Sequence, residues 1–100
     1  MSVKKQFSKT KKICKVTFCL PKRVVKSAQS VHLLGNFNNW NETPLKKTAD
    51  GKYLTELTLE TGKEYQFRYL LDRTHWMNEM KADKYVYSGI GYSENSVIIL

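Results

Sequence analysis

The sequence predicts an all-β protein, folded as a single antiparallel β-sandwich domain, and three observations lead to this prediction. Along much of the chain, apolar residues alternate with polar ones at the period of two that a half-buried strand requires. Turn-forming residues separate these short runs, and no segment shows the period of an amphipathic helix. A small β-barrel would give the same pattern and stays open as the alternative.

The size and composition of the chain set limits on this fold. With 100 residues, 41% of them hydrophobic, the chain can build one core without disulfides or metals. No apolar run approaches the roughly 18 residues of a membrane span, and the basic start lacks the pattern of a signal peptide. We therefore expect a soluble, cytoplasmic protein with no membrane partner.

Turn signals and apolar alternation divide the first part of the chain into strands. The first predicted strand, Cys14 to Leu20, ends at a proline, and the segment 22–29 has loop character. A short apolar strand follows from Ser30 to Gly35. The Asp50-Gly51 pair is a turn signal, and the next strand extends from it over Tyr53 to Glu60.

The strand after Gly62 predicts the direction of one candidate functional residue. In the run EYQFRYLLD, every second residue from Tyr65 to Leu71 is aromatic or aliphatic and falls on one face. If that face is the core, Arg68 points away from it, onto the outer face of the sheet. The last apolar run, Val97 to Leu100, forms the final strand.

The two cysteines are expected to be free thiols. Cys14 and Cys19 lie on one predicted strand, with Cα atoms about 16 Å apart and side chains on opposite faces, beyond disulfide reach. Free thiols fit a reducing compartment. Neither cysteine has a zinc-site spacing to His32 or His75, so we expect no metal and no other cofactor.

The net charge of +8 is unevenly distributed. Residues 1–41 contain nine Lys or Arg and no acid, whereas residues 42–100 contain eight basic and nine acidic residues. We expect residues 1–12 to be a flexible basic arm and residues 13–100 to be the folded domain. The arm either is a solvated tail or binds a polyanion. Its separation in sequence from the aromatic residues argues against a nucleic-acid partner.

A tryptophan stands in the turn LLGNFNNWN, whose asparagines and glycine need no aromatic neighbour. Trp40 has two explanations: its indole caps the core, or the flat apolar ring is a platform for a sugar. Covering about 50 Å² of a pyranose contributes only about 1 kcal/mol. A sugar site therefore needs a second aromatic ring and polar groups around the hydroxyls.

The rest of the sequence meets both requirements. Trp76 follows the strand that contains Arg68. Because a neutral amide can donate to one hydroxyl and accept from its neighbour, amide side chains suit a glycan. The candidate amides are Asn36, Asn38, Asn39, Asn41, Asn78 and Asn95.

Three motifs together resemble a known family. GNFNNW, the strand YQFRYLLD and the closing ENSVII look like the glycogen- and starch-binding carbohydrate-binding module of family 48. The resemblance covers about residues 13–100 and implies an immunoglobulin-like, early-set β-sandwich. It also implies a non-catalytic module that binds α-glucan polysaccharide, in the short prokaryotic form in which this domain is the complete protein. A glycogen-metabolising enzyme is the further partner that the resemblance suggests.

Carried over residue by residue, the family's sugar platform corresponds to Trp40, Arg68 in place of the usual Lys, and Trp76. Asn95 matches the family's asparagine before the final strand, and Asn39, beside Trp40, is a further candidate for hydroxyl contact. The resemblance therefore implies a binding surface made of two indoles, one guanidinium and neutral amides.

The chain departs from the family in two places. The turn before the second tryptophan reads DRTH, one residue longer than usual and without the usual Asp-Gly pair. Some members fold an apolar finger over the glycan, and here both Ile90 and Tyr92 are candidates for it.

Two other functions compete with sugar binding. The acidic residues are scattered through turns and exposed strand positions, and no nucleophile motif is present, so we expect no enzymatic activity. The stronger alternative is a protein-interaction domain, accessory to glycogen-active glycoside hydrolases, that keeps the fold but has a degraded sugar site. Burial of both indoles against the core would favour that alternative.

Overall fold

A computed structural model describes residues 2–100, and most of its regular structure is β-strand. The one α-helix in this range, α1, is a single turn over Lys22–Val25, and a 3-10 turn covers Asn36–Asn38. The strands are β1 Ser2–Phe7, β2 Ile13–Leu20, β3 Val31–Gly35, β4 Thr43–Pro44, β5 Lys46–Lys47, β6 Tyr53–Glu60, β7 Glu64–Leu71, β8 His75–Met77, β9 Lys84–Tyr87 and β10 Glu94–Ile99. No helix within residues 2–100 is long and apolar enough to cross a membrane.

The strands form two antiparallel sheets. One sheet has four strands in the order β1-β2-β6-β5. The other has six, with β4-β3-β7-β10-β9 as the main path and β8 paired to the end of β7. The predicted all-β architecture is confirmed at this level, because two antiparallel sheets of this size are consistent with a β-sandwich.

The core is built from alternate residues of both sheets. In β2 the even-numbered residues, Cys14 to Leu20, are fully buried, and so are Phe67 and Tyr69 of β7. Phe18 packs against the edge of Phe67, with the ring centroids 5.2 Å apart. Each large apolar side chain buried in this way contributes about 1.5 to 3 kcal/mol, which is why the alternating segments form strands.

Some of the observed strand boundaries match those predicted from the sequence, and others differ. β6 has the predicted bounds, and the turn before it places Gly51 at a φ of 86°. The final strand begins at Glu94, ahead of the apolar run, because its first residues pair with β9. The segment 22–29, expected to be a loop, contains α1, whose Val25 is buried.

β1 lies in the basic segment that was expected to be a flexible arm. It pairs with β2 along the edge of the four-stranded sheet. Val3 packs against the core, and Lys5 forms an ion pair with Asp83 at 2.6 Å. Lys5 Nζ also donates to the backbone carbonyl of Ile99 at 3.1 Å. Residues 2–7 are therefore paired strand, held by the ladder with β2, by the packing of Val3 and by the partners that Lys5 finds beside β9 and β10.

The two cysteines are free thiols, as predicted. Cys14 is buried in the core, while Cys19 is half-buried on the opposite face of β2. Within the described residues, no group of three or more His, Cys, Asp or Glu side chains is placed to hold a metal ion.

Candidate functional site

A concave surface of about 570 Å³ lies on the outer face of the six-stranded sheet, and we call it the tryptophan groove. β7 supplies its floor, while the turn after β3 and strand β8 supply one tryptophan each. The β9–β10 loop forms part of the rim. The lining residues are Trp40, Gln66, Arg68, Trp76, Ser88, Ile90, Ser93 and Asn95.

Arg68 points into this groove, as the alternation of β7 predicted. Its neighbours Phe67 and Tyr69 are fully buried in the core, so Arg68 faces the other side of the sheet. The guanidinium carbon lies 5.9 Å from the ring centroid of Trp76, within the range of a cation–π contact. Arg68 Nε donates to the carbonyl of Glu94 at 3.1 Å, which fixes one side of the guanidinium.

Trp40 reaches the groove from a tightly bonded turn. Asn39 and Trp40 both have positive φ, 55° and 60°, and the Trp40 N–H donates to the carbonyl of Gly35 at 2.8 Å. A left-handed pair of residues reverses the chain, and asparagine tolerates that conformation better than most residues. Trp40 is half-buried and lines the groove.

Asn38 holds the same turn together. Its side-chain oxygen accepts from the N–H of Gly35 at 3.0 Å, while its amide group donates to the Leu33 carbonyl at 3.0 Å and to Thr43 Oγ1 at 2.8 Å. Asn36 connects the turn to the groove floor, because its side-chain oxygen accepts from the Gln66 N–H at 2.7 Å. The sequence indicated only that these asparagines form a turn. In the structure their side chains also fasten the turn to β3 and β7, and so hold Trp40 at the groove.

Trp76 enters the groove from β8. It pairs with Leu70 of β7, and directly opposed residues of an antiparallel pair project from the same face, so the indole shares the outer face with Arg68. The side chain is 46% exposed. The longer DRTH turn closes with a bond from the Thr74 N–H to the Leu71 carbonyl at 3.1 Å. This hairpin keeps Trp76 beside Arg68.

Asn95 and Asn39 have different positions. Asn95 is buried, and its amide group donates to Gln66 Oε1 at 3.0 Å, so the two amides form a bonded pair in the groove. Asn39 is exposed on the turn and lies outside the groove lining. The structure thus brings four of the predicted residues together, and it separates Asn39 from them.

The sequence did not single out three lining residues, Gln66, Ser88 and Ser93. Gln66 lies two positions before Arg68, so strand alternation alone would have placed it on the same face. The serines belong to the β9–β10 loop, in which the Ser93 N–H donates to the Ile90 carbonyl at 3.2 Å. In the sequence, the only indication of this loop is the pair of glycines on either side of Ile90. Gly89 and Gly91 both have positive φ, as a tight loop requires.

A polar network that runs from the surface into the buried interior supports the groove. The Glu94 carbonyl that holds Arg68 also accepts from Asn78 Nδ2 at 2.8 Å, and Asn78 Oδ1 accepts from the Ser96 hydroxyl at 2.8 Å. Ser96 Oγ in turn accepts from the N–H of Glu79 at 2.8 Å. The network fixes the backbone to which the guanidinium is bonded.

The fully buried carboxyl group of Glu79 accepts from the Tyr69 hydroxyl at 2.8 Å and from the Lys81 N–H at 3.0 Å. Burial, and then the neighbouring Glu79, raise the pKa of Tyr69 well above its usual value, so this phenol stays protonated and donates. Tyr69 therefore remains the donor of this hydrogen bond across ordinary pH.

The groove combines flat apolar rings with neutral hydrogen-bonding groups. Its lining, within the described part of the chain, contains one cation and no carboxylate. A pair of carboxyl groups flanking a bond, as glycoside hydrolysis requires, is thus missing from this lining. The arrangement suits a flat, uncharged, hydroxyl-rich ligand.

Comparison of the sequence with protein-family models finds no family that matches, and comparison with curated proteins finds no significantly similar sequence.

Proposed function

We propose that the protein is a non-catalytic module that binds α-glucans in the tryptophan groove. The observation that supports this most is the convergence of Trp40 and Trp76 on one concave surface with Arg68 and Asn95. Neither indole belongs to the buried core, since Trp40 is half-buried, Trp76 is 46% exposed and both line the open groove, which argues for ligand contact rather than core packing. The resemblance of the sequence to carbohydrate-binding family 48, with its immunoglobulin-like early-set fold, is a second support, although part of it rests on the same residues.

The expected binding mode follows from the chemistry of the lining. Each indole covers the apolar face of one glucose ring and contributes about 1 kcal/mol. Arg68 has donors left after bonding Glu94, and the Gln66 and Asn95 amides offer further donors and acceptors for ring hydroxyls. With two platforms on a shallow surface, we expect micromolar to millimolar dissociation constants, or about 4 to 8 kcal/mol.

Co-sedimentation with glycogen tests the proposal. It is carried out at about 0.5 M NaCl, where the Debye length is about 4 Å and nonspecific charge attraction is screened. We expect the unmodified protein to pellet with glycogen, and Trp40→Ala and Trp76→Ala to stay largely in the supernatant. The matched control is Tyr87→Ala, because Tyr87 is an exposed aromatic of β9 outside the groove lining.

The control should pellet like the unmodified protein. Equal retention of all four proteins would contradict the proposal, and so would no retention of any. The second outcome, together with capture of the domain by a glycogen-active enzyme, would favour the interaction-domain alternative. Titration with maltooligosaccharides, followed by amide NMR shifts, then maps the site, and shifts outside the groove would count against it.

A further inference from the structure

A second concave surface, of about 240 Å³, lies at the edge of the four-stranded sheet, away from the tryptophan groove. It is enclosed by α1 and the residues after it on one side, and by β5 and the β5–β6 turn on the other. Three lysines line it: Lys22, Lys26 and Lys47. We call this surface the lysine cleft.

The positive charge of the cleft is not neutralised by neighbouring acids. Within residues 2–100, the amino groups of Lys22, Lys26 and Lys47 form no ion pair with a carboxylate. The one acid in the lining, Asp50, already accepts from the Thr48 hydroxyl and pairs with Lys52 at 3.5 Å. Three unpaired cations around one concavity create a local positive potential that attracts an anion.

Two more cations extend this potential beyond the lining. Arg23 follows Lys22 in α1, and Lys46 precedes Lys47 in β5. Both side chains are exposed, and neither has an ion-pair partner in the described part of the chain. Unpaired basic residues therefore continue along α1 and β5 next to the residues that line the cleft.

The walls of the cleft are packed against each other. Gly51 has a φ of 86°, and a Cβ at this position would lie 3.0 Å from Lys22 Cδ, so the stem of Lys22 lies directly over the turn. The floor includes Tyr53, which is buried and donates its hydroxyl to the Ala28 carbonyl at 3.1 Å. Because these contacts join α1 to the β5–β6 turn, the cleft is formed before any ligand arrives.

We propose that the lysine cleft binds a phosphate group, either free as inorganic phosphate or esterified to a sugar as a phosphomonoester. A phosphomonoester carries close to two negative charges at about pH 7.5 and presents three acceptor oxygens. Lysine ammonium groups meet such a group as point charges with several donors each. This site is separate from the tryptophan groove and does not depend on the function proposed for it.

Amide NMR titrations with three probes test the proposal. The probes are inorganic phosphate, glucose 6-phosphate and glucose. We expect saturable shifts at Gly51 and Lys26 with the two phosphates and none there with glucose. Tighter binding of glucose 6-phosphate would show that the sugar also contacts the cleft, and equal binding would show that phosphate alone is recognised. Both results support the site.

Two triple variants, each lacking three positive charges, distinguish phosphate binding in the cleft from attraction by the net charge of the protein. The first replaces the cleft lysines, as Lys22→Gln, Lys26→Gln and Lys47→Gln. The second replaces three exposed, unpaired lysines of the β1–β2 turn, as Lys9→Gln, Lys11→Gln and Lys12→Gln. We expect the first variant to weaken phosphate binding by about tenfold or more, and the second by less than about twofold.

Circular dichroism establishes that both variants are folded before they are titrated. Equal weakening in the two triples would overturn the proposal, because the effect would then follow net charge and not the cleft. Shifts confined to the β1–β2 turn, or no saturable shift with either phosphate, would overturn it as well.

Discussion

Two neighbouring residues of the β7–β8 turn share an unusual backbone conformation but differ in their partners. Asp72 and Arg73 have φ values of 51° and 57°, in the left-handed region that costs a non-glycine residue about 1 kcal/mol. Asp72 Oδ1 accepts from the backbone N–H groups of Gln29 and Ser30, at 2.8 and 3.1 Å. The Arg73 side chain has only an exposed ion pair, Nε to Glu42 at 3.2 Å.

The two residues should therefore respond in opposite directions to substitution. Arg73→Gly should raise the free energy of unfolding by about 0.5 to 1 kcal/mol, since glycine relieves the strain and an exposed ion pair contributes little. Asp72→Ala should lower it by about 1 to 2 kcal/mol, because two N–H groups lose their acceptor. Urea unfolding followed by circular dichroism measures both. Destabilisation by Arg73→Gly would contradict the strain argument.

A second prediction at the residue scale concerns the apolar rim of the groove. Ile90 is 77% exposed and lines the groove, whereas Tyr92 is fully exposed and lies outside the lining. Of the two residues that the family resemblance left as candidates for an apolar finger, we expect Ile90 to contact the glucan. Ile90→Ala should weaken maltooligosaccharide binding by about threefold to tenfold, through lost apolar burial. Tyr92→Ala is the control, and the reverse order of effects would contradict the assignment.

At the level of elements, alternation predicted the long strands and missed the short ones. β6 and β7 could be found because each keeps a period of two over most of its eight residues, interrupted only at Leu54 and Leu70. β8 has three residues, too few to show a period, and α1 has four. β8 forms by folding back on the adjacent end of β7, where Trp76 lies opposite Leu70. α1 lies against the turn that contains Gly51, a contact far along the chain that its own four residues do not reveal.

β1 was missed for a different reason. Its alternation of Val3, Lys5 and Phe7 is interrupted by a charge on the inward face, which is typical of a tail. The charge is accommodated because Lys5 meets Asp83 and the Ile99 carbonyl, far along the chain. The ladder with β2, the packing of Val3 and this ion pair together make residues 2–7 a strand, and none of the three is visible in the local sequence.

This ion pair makes the stability of β1 pH-dependent. Burial opposes ionisation of Asp83, but the hydrogen bonds from Lys5 and from the Ile99 N–H hold the pKa of this carboxyl group below its ordinary value. A carboxyl group with a lowered pKa stabilises the folded state above its unfolded pKa of about 4, and this contribution is lost as the pH falls through the folded value.

We therefore expect unmodified protein to be more stable than Asp83→Asn above about pH 4, with the difference shrinking as the pH falls below that value. Urea unfolding at a series of pH values measures the difference. In a Lys5→Met background the effect of Asp83→Asn should be smaller, because one of the two charge-assisted partners is gone. A difference that grows towards acid pH would contradict the argument.

At the scale of the whole molecule, the sequence predicted the tryptophan groove in part. Trp40, Arg68 and Trp76 could be selected from residue type and family resemblance, and the structure brings them together with Asn95. The alternation of β7 also places Gln66 on the face of Arg68, although Gln66 was not selected as a candidate binding residue. For Ser88 and Ser93 the neighbouring glycines indicate only a tight loop, and that this loop reaches the groove follows from the pairing of β9 with β10.

The two proposed sites should differ in their response to salt. Neutral glucan binding releases few counterions, so retention on glycogen should change by less than about twofold between roughly 50 and 500 mM NaCl. Phosphate binding in the lysine cleft should weaken by about tenfold or more over the same range. Parallel measurements on one protein preparation test this. A steep fall in glycogen retention would show that basic charge, and not the indoles, holds the polymer.

The positions of the tryptophans have an optical consequence. The chain has two tryptophans, and both line the groove, so its intrinsic fluorescence arises from the candidate binding surface and not from the core. Trp76 is nearly half exposed, at 46%, and should emit at long wavelength even in the folded protein. A glucan that covers the indoles would shift the emission to the blue. Unfolding, by contrast, would expose the half-buried Trp40 and shift the emission to the red, so binding and unfolding would move the emission in opposite directions.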